Sequence, residues 1–78
     1  MSAFDLLRDA IAQTLNVAPA EITPATRAGE LPAWDSLGHV NLMMSIEQTF
    51  DIQLEVEDFP RLDSVQAILQ HLRARGID

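Results

Sequence analysis

Apolar residues along the chain fall into three helical stripes, separated by stretches that cannot be regular. Phe4, Leu7, Ile11 and Leu15 recur at helical spacing, with Asp9 and Gln13 on the other side. Ser2 precedes this run and Asp5 follows it by three residues, the layout of a capping box with Asp in place of Glu or Gln. Asn16 is a reasonable stop and Pro19 ends the element, so the pattern predicts a helix over about residues 2–16. Pro19, Pro24, Gly29 and Pro32 then break residues 17–34 into a long connection. Val17, Ile22, Leu31 and Trp34 within it are apolar and need burial, so this is a packed loop and not a linker, with a short turn expected from Ala18 to Ile22.

A second helix is predicted over about residues 36–50, with Asp35 as its N-cap. Leu42, Met43, Ile46 and Phe50 form its buried face, and Val40 lies at the edge. Leu37 and Met44 fall beyond that edge, where they either complete the core or form an exposed apolar contact beside Ser36. Ile52, Leu54 and Val56 alternate with polar residues like a strand, but no other segment could pair with them. An extended loop leading to a short helix near residues 56–61 fits better, because Pro60 cannot sit inside a long helix. The last helix begins at Ser64 or just before, with Asp63 as the expected cap. Val65, Ile68, Leu69 and Leu72 line its core face, Arg73 and Arg75 suit its negative end, and Gly76 terminates it.

Length and composition narrow the chemistry. A chain of 78 residues supports one small core and no cleft enclosed by two lobes. The absence of Cys and Lys removes disulfides, thiolate metal sites, a Cys nucleophile, a Schiff-base lysine and a P-loop lysine. No secretory pattern and no membrane-length apolar run occur, so a soluble cytoplasmic protein is expected. The net charge of −7 is concentrated: residues 30–63 hold eight acidic side chains against Arg61 alone. That argues against nucleic acid and favours partners with basic patches, although an acidic surface can also serve solubility alone.

An enzyme reading finds little support. His39 and His71 are the only histidines, and neither belongs to a metal motif. A Ser36–His39 dyad would lack an orienting carboxylate, an oxyanion hole and an enclosed pocket. Ser36, at the mouth of the second helix, is the one group there able to accept a covalent modification. A phosphate ester on it would meet the unpaired N–H groups and positive dipole end of the helix. Asp63-Ser64-Val65 looks locally like Asp35-Ser36-Leu37, and capping physics alone does not choose between the two serines.

Asp35-Ser36-Leu37, followed by Val40, Leu42, Ile46 and Phe50, resembles the acyl carrier protein family, and the resemblance covers nearly the whole chain. It implies an all-α bundle of three main helices plus one short helix with a long first loop, forming a single carrier domain over residues 1–78. It selects Ser36 as the bearer of covalent 4′-phosphopantetheine, beside the motif residue Asp35, and leaves Ser64 as a structural cap. The arm's thiol would hold a carboxylic-acid cargo as a thioester, and the chain itself would be no enzyme and bind no metal. Implied partners are a phosphopantetheinyl transferase, a cargo-loading ligase or transferase, and downstream thioester-using enzymes. These would dock on a monomer through Leu37, Val40, Met44, Glu47 and Asp58, with no membrane or nucleic acid involved. Fatty-acid carriers usually place acidic residues after Asp-Ser-Leu, where this chain has Gly38, His39, Val40 and Asn41. Trp34 before the motif and Gly-His after it look more like discrete carriers of specialised polyketide, alkoxymalonyl or aminoacyl systems. His39 would either border a cargo channel or be a first-turn histidine partly exposed to water. The alternatives are a primary fatty-acid carrier and an unmodified helical interaction module.

Overall fold

The computed structural model describes residues 2–78. Three α-helices, α1 (Ala3–Leu15), α2 (Ser36–Phe50) and α3 (Val65–Ala74), are joined by two connections that each contain a short 3₁₀ segment, Pro19–Glu21 and Val56–Arg61. The expected short turn near Ala18 to Ile22 is thus a 3₁₀ turn. The expected short third helix is 3₁₀ as well, and Pro60 lies inside it. Isolated bridges, but no strands, occur among the described residues, so the alternation from Ile52 runs through an extended loop at 52–55 and ends at Val56, the first residue of the second 3₁₀ segment. No helix among them is long and apolar enough to cross a membrane.

Each helix starts and stops for a local reason. Ser2 caps α1 by accepting from the Asp5 N–H at 3.2 Å, and Asp5 returns the bond to the Ser2 N–H at 3.3 Å, completing the capping box. Those bonds hold the Asp5 carboxyl below its ordinary pKa, helped by nearby Arg8. Asn16 and Asp51 end α1 and α2 in the left-handed conformation, at φ 57° and 53°. The cap of α3 is Ser64 and not Asp63: the Ser64 hydroxyl accepts from the Ala67 N–H at 3.1 Å. A cap needs its oxygen within reach of the N–H three residues on, and α3 begins one residue later than an Asp63 cap would require.

The core gathers one stripe from each helix. Leu7, Ile11 and Leu15 from α1 meet Leu42, Met43 and Ile46 from α2 and Val65, Ile68 and Leu72 from α3. Each such side chain contributes roughly 1.5–3 kcal/mol through removal from water. Phe50, expected on the fully buried face, is half-buried at the last turn of α2 and packs against the cluster's margin. Ile22, Leu54, Leu62 and Trp34 come from the connections and close the core where helices alone would leave gaps.

The first connection is fixed to the start of α3. Ala28 donates its N–H to the Asp63 carbonyl at 2.8 Å, and Val65 donates to the Thr26 carbonyl at 2.9 Å. Glu30 accepts from the Arg27 N–H at 2.7 Å, and the buried Thr26 hydroxyl accepts from the Thr23 N–H at 2.9 Å. A segment without helix or sheet ladders must satisfy its backbone through such contacts, and here they carry the chain to the mouth of α2.

Candidate functional site

Ser36 is the first residue of α2 and is exposed. Asp35 occupies the N-cap, and its carboxylate accepts from the Gly38 N–H at 2.8 Å. The carbonyl of Asp35 accepts the His39 N–H, also at 2.8 Å. With capping done by the preceding residue, the Ser36 hydroxyl has no hydrogen-bond partner among the described residues. It stands free at the positive end of a fifteen-residue helix.

The surroundings of Ser36 are held by long-range contacts. Trp34 is buried at 2% exposure and donates its indole Nε1–H to His39 Nδ1 at 2.9 Å. The two rings stack with centroids 6.2 Å apart and an interplanar angle of 21°. His39 Nε2 lies 2.7 Å from the Phe59 carbonyl oxygen. Because Nδ1 accepts from the indole, the ring proton sits on Nε2 and is donated to Phe59. His39 therefore ties the first connection, α2 and the second 3₁₀ segment together within one turn of Ser36. It lies beside the site as a fully bonded bridge. It is only half exposed and has no role left for a Ser36 dyad.

Gly38 has a packing role that the sequence does not display. A Cβ there would collide with the Ala33 carbonyl oxygen and lie 3.2 Å from Leu15 Cδ2. The backbone of the first connection passes directly over the first turn of α2, and only glycine leaves it room. An acidic side chain at this position is sterically barred, whatever a partner might prefer.

An open cleft of about 370 Å³ adjoins Ser36, lined by Ala28, Gly29, Trp34, Asp35, His39, Pro60 and Asp63 as well as the serine. On the outward side of α2, Leu37 is 71% exposed, Val40 43% and Met44 47%, so these three residues do not complete the core. The remaining docking candidates have local tasks. Glu47 accepts from the Leu54 N–H at 2.8 Å, and Asp58 accepts from the Glu55 N–H at 3.3 Å. Val56, 77% exposed at the head of the second 3₁₀ segment, was not singled out by sequence; its place in a strand-like alternation concealed it.

The family model described as "Phosphopantetheine attachment site" matches residues 5–72. The chain belongs to the acyl carrier protein family. It is 28% identical to the acyl carrier protein of Wolinella succinogenes over 72 residues, covering 92% of this chain and 95% of that one. It is 26% identical to that of Campylobacter concisus over 76 residues, covering 97% and 99%. The solution structure of the holo acyl carrier protein from Geobacter metallireducens superposes with a TM-score of 0.78 at 28% identity, covering 97% of this chain and 91% of that one. As an acyl carrier protein the chain is a carrier and not a catalyst, its cofactor is phosphopantetheine, and its partners include a phosphopantetheinyl transferase and enzymes that use thioesters. The matched range contains both Ser36 and Ser64, so the family match alone does not select the modified residue.

Proposed function

We propose that Ser36 carries the 4′-phosphopantetheine and that this chain is a discrete carrier of a specialised biosynthetic pathway, not the main fatty-acid carrier. One observation carries the attachment site: Ser36 is an exposed serine with a free hydroxyl at the start of α2, whereas Ser64 spends its hydroxyl on the Ala67 N–H. The residues present fit the group. A phosphodiester on Ser36 would lie at the positive end of α2, and nothing in the chain would have to be displaced to form it. Once attached, the arm supplies a thiol that holds acyl cargo as a thioester.

The chain's own residues present that arm. Asp35 fixes the first turn, Gly38 lets the first connection cross it, and His39 with Trp34 keeps the connection in place. Leu37, Val40 and Met44 offer an apolar docking strip on the same helix. Glu47, three residues beyond Met44, and Asp58 add negative charge while each serves a backbone N–H. The acidic middle of the chain speeds encounter with basic partners more than it tightens binding, which suits a shuttle. The specialised role is supported by the first turn of α2. Gly38 and Asn41 stand where fatty-acid carriers commonly have two acidic residues, and Gly38 is committed to packing under the Ala33 carbonyl.

The test is intact mass after incubation with coenzyme A and a promiscuous phosphopantetheinyl transferase. The parent and Ser64→Ala should gain one phosphopantetheine, and Ser36→Ala none. A gain lost only in Ser64→Ala would move the arm to α3. No gain in a folded parent would favour an unmodified interaction module.

A further inference from the structure

Both neighbours of the His39 ring are one-sided. The Trp34 indole Nε1–H, 2.9 Å from Nδ1, can only donate, and the Phe59 carbonyl oxygen, 2.7 Å from Nε2, can only accept. One neutral tautomer satisfies the two together. An imidazolium carries a hydrogen on each nitrogen, so a proton added at Nδ1 points at the indole N–H, donor against donor. The Phe59 bond survives that change, because Nε2 donates in either form. The Trp34 bond does not. Trp34 is 2% exposed, and a buried donor that loses its acceptor must move to find another.

What moves with it is the mouth of α2. Trp34 directly precedes the cap Asp35, which directly precedes Ser36. Taking Ser36 as the attachment point, as proposed above, we propose that His39 is a proton-sensitive latch that positions Ser36 for the transferase. Neutral, it holds the first connection against α2. Protonated, it releases Trp34 while keeping the second 3₁₀ segment, and the cap and serine lose their fixed place.

No cation guards the ring against a proton. Asp35 from the mouth of α2 and Asp63 from the stretch before α3 line the cleft beside His39, and no Arg is among the residues lining it. The first connection brings only Ala28, Gly29 and Trp34 to that lining, and the Glu30 carboxylate is turned to the Arg27 N–H. In the second 3₁₀ segment Asp58 and Arg61, of opposite charge, flank Phe59 and Pro60. α1 reaches the first turn of α2 through uncharged Leu15. His71 also accepts a hydrogen bond, from the Arg75 Nε–H at 3.0 Å, but that donor is exposed and water can replace the ring. Imidazole is the side chain that ordinarily changes charge between about pH 5 and about pH 8. Of the two histidines, only His39 leaves a buried group without a partner when it gains a proton.

The experiment follows the Trp34 indole N–H and the His39 ring of the ¹⁵N,¹³C-labelled apo chain by NMR from about pH 7.5 to about pH 5.5, and measures kcat/KM for phosphopantetheine addition at both ends. His39→Asn is the comparison, since its side-chain oxygen can accept from the indole and does not titrate. In the parent the indole signal should shift and exchange faster with water as the His39 ring gains its proton, while the Phe59 carbonyl signal holds. In His39→Asn the indole signal should stay in place. The parent-to-variant ratio of kcat/KM should fall at least about threefold toward acid, as for a reacting group moved out of place. The transferase's own pH dependence cancels in that ratio. Trp34→Phe removes the donor, so its kcat/KM should follow the same pH profile as His39→Asn, whatever its basal rate. An indole signal unmoved while the ring titrates, or a ring that gains no proton by about pH 5.5, would overturn the latch. An equal shift in His39→Asn would overturn it too, by tracing the change to carboxylates. A flat ratio despite indole release would overturn the positioning of Ser36. Absence of any mass gain in the folded parent at either pH would instead fail the attachment reading, and the indole measurement would still decide the latch.

Discussion

Two helices of this chain begin at an Asp-Ser pair, and they use it in opposite ways. At α2 the aspartate is the cap and the serine is the first helical residue, exposed with its hydroxyl free. At α3 the serine is the cap, half-buried, and its backbone lies in a bridge with Arg27. A shift of one residue in helix register separates a free hydroxyl from a capping one. The register at α3 is held from outside, because Ala28 and Thr26 bond the backbone on either side of Ser64. At α2 the connection passes over Gly38 instead and leaves Ser36 clear. A serine is available for modification where the residue before it has taken over the capping task.

The strongest way to break this comparison is to exchange the serines' roles by substitution. Ser36→Ala should abolish phosphopantetheine addition completely, while the unfolding free energy changes by less than about 0.5 kcal/mol, as for an exposed helical site. Intact mass and urea titration on one sample give both readings, and a large loss of stability would show that Ser36 has a structural bond after all. Next in size is Gly38→Ala. Its Cβ must displace the Ala33 carbonyl, so a loss of about 1–3 kcal/mol is expected, lowering Tm by about 4–8 °C per kcal/mol in a domain of this size. An unchanged Tm would mean the connection does not press on α2 as described.

Ser64→Ala is the complement of the first variant. Loss of the cap should cost about 1 kcal/mol with mass gain intact, and a neutral effect on stability would remove the contrast between the two pairs. The smallest effect belongs to a third serine cap, Ser2 with Asp5 on α1. The Asp5 carboxyl is held below its ordinary value by its bonds to Ser2. Its contribution is therefore present above the unfolded pKa of about 3.9 and is lost as pH falls through the lower folded value. Asp5→Ala should lower Tm near neutral pH, and the gap to the parent should narrow as pH falls below the unfolded carboxylate value and through the lower folded one. Thermal melts across that range would refute this if the gap stayed constant.

Much of the fold can be read from local order. The stripes at Leu7–Ile11–Leu15, Leu42–Ile46 and Val65–Ile68–Leu72 mark helices because 3.6-residue spacing puts them on one side, and all are buried. Leu37 and Met44 lie outside that arc on the helical wheel, where spacing alone left core and contact both open, and the structure exposes them. The Asp35 cap was also legible, since capping reaches only three residues. The site was less so. His39 bonds a carbonyl twenty residues away, and a first-turn histidine has no local mark of such a partner. Glu47 reads as a surface acid until the loop after α2 brings the Leu54 N–H to it.

The sequence by itself determined three helices, their apolar faces, a long packed connection, an acidic middle and two helix starts that each carry an Asp-Ser pair. Those features depend on residues within a few positions of one another, where spacing and capping act directly. The tertiary structure alone decided which Asp-Ser pair leaves its serine free, why position 38 must be glycine, and how His39 joins two connections around a cleft. Each of those depends on where a distant stretch of backbone passes, and that path follows from how the whole core closes. No periodicity in the chain records it.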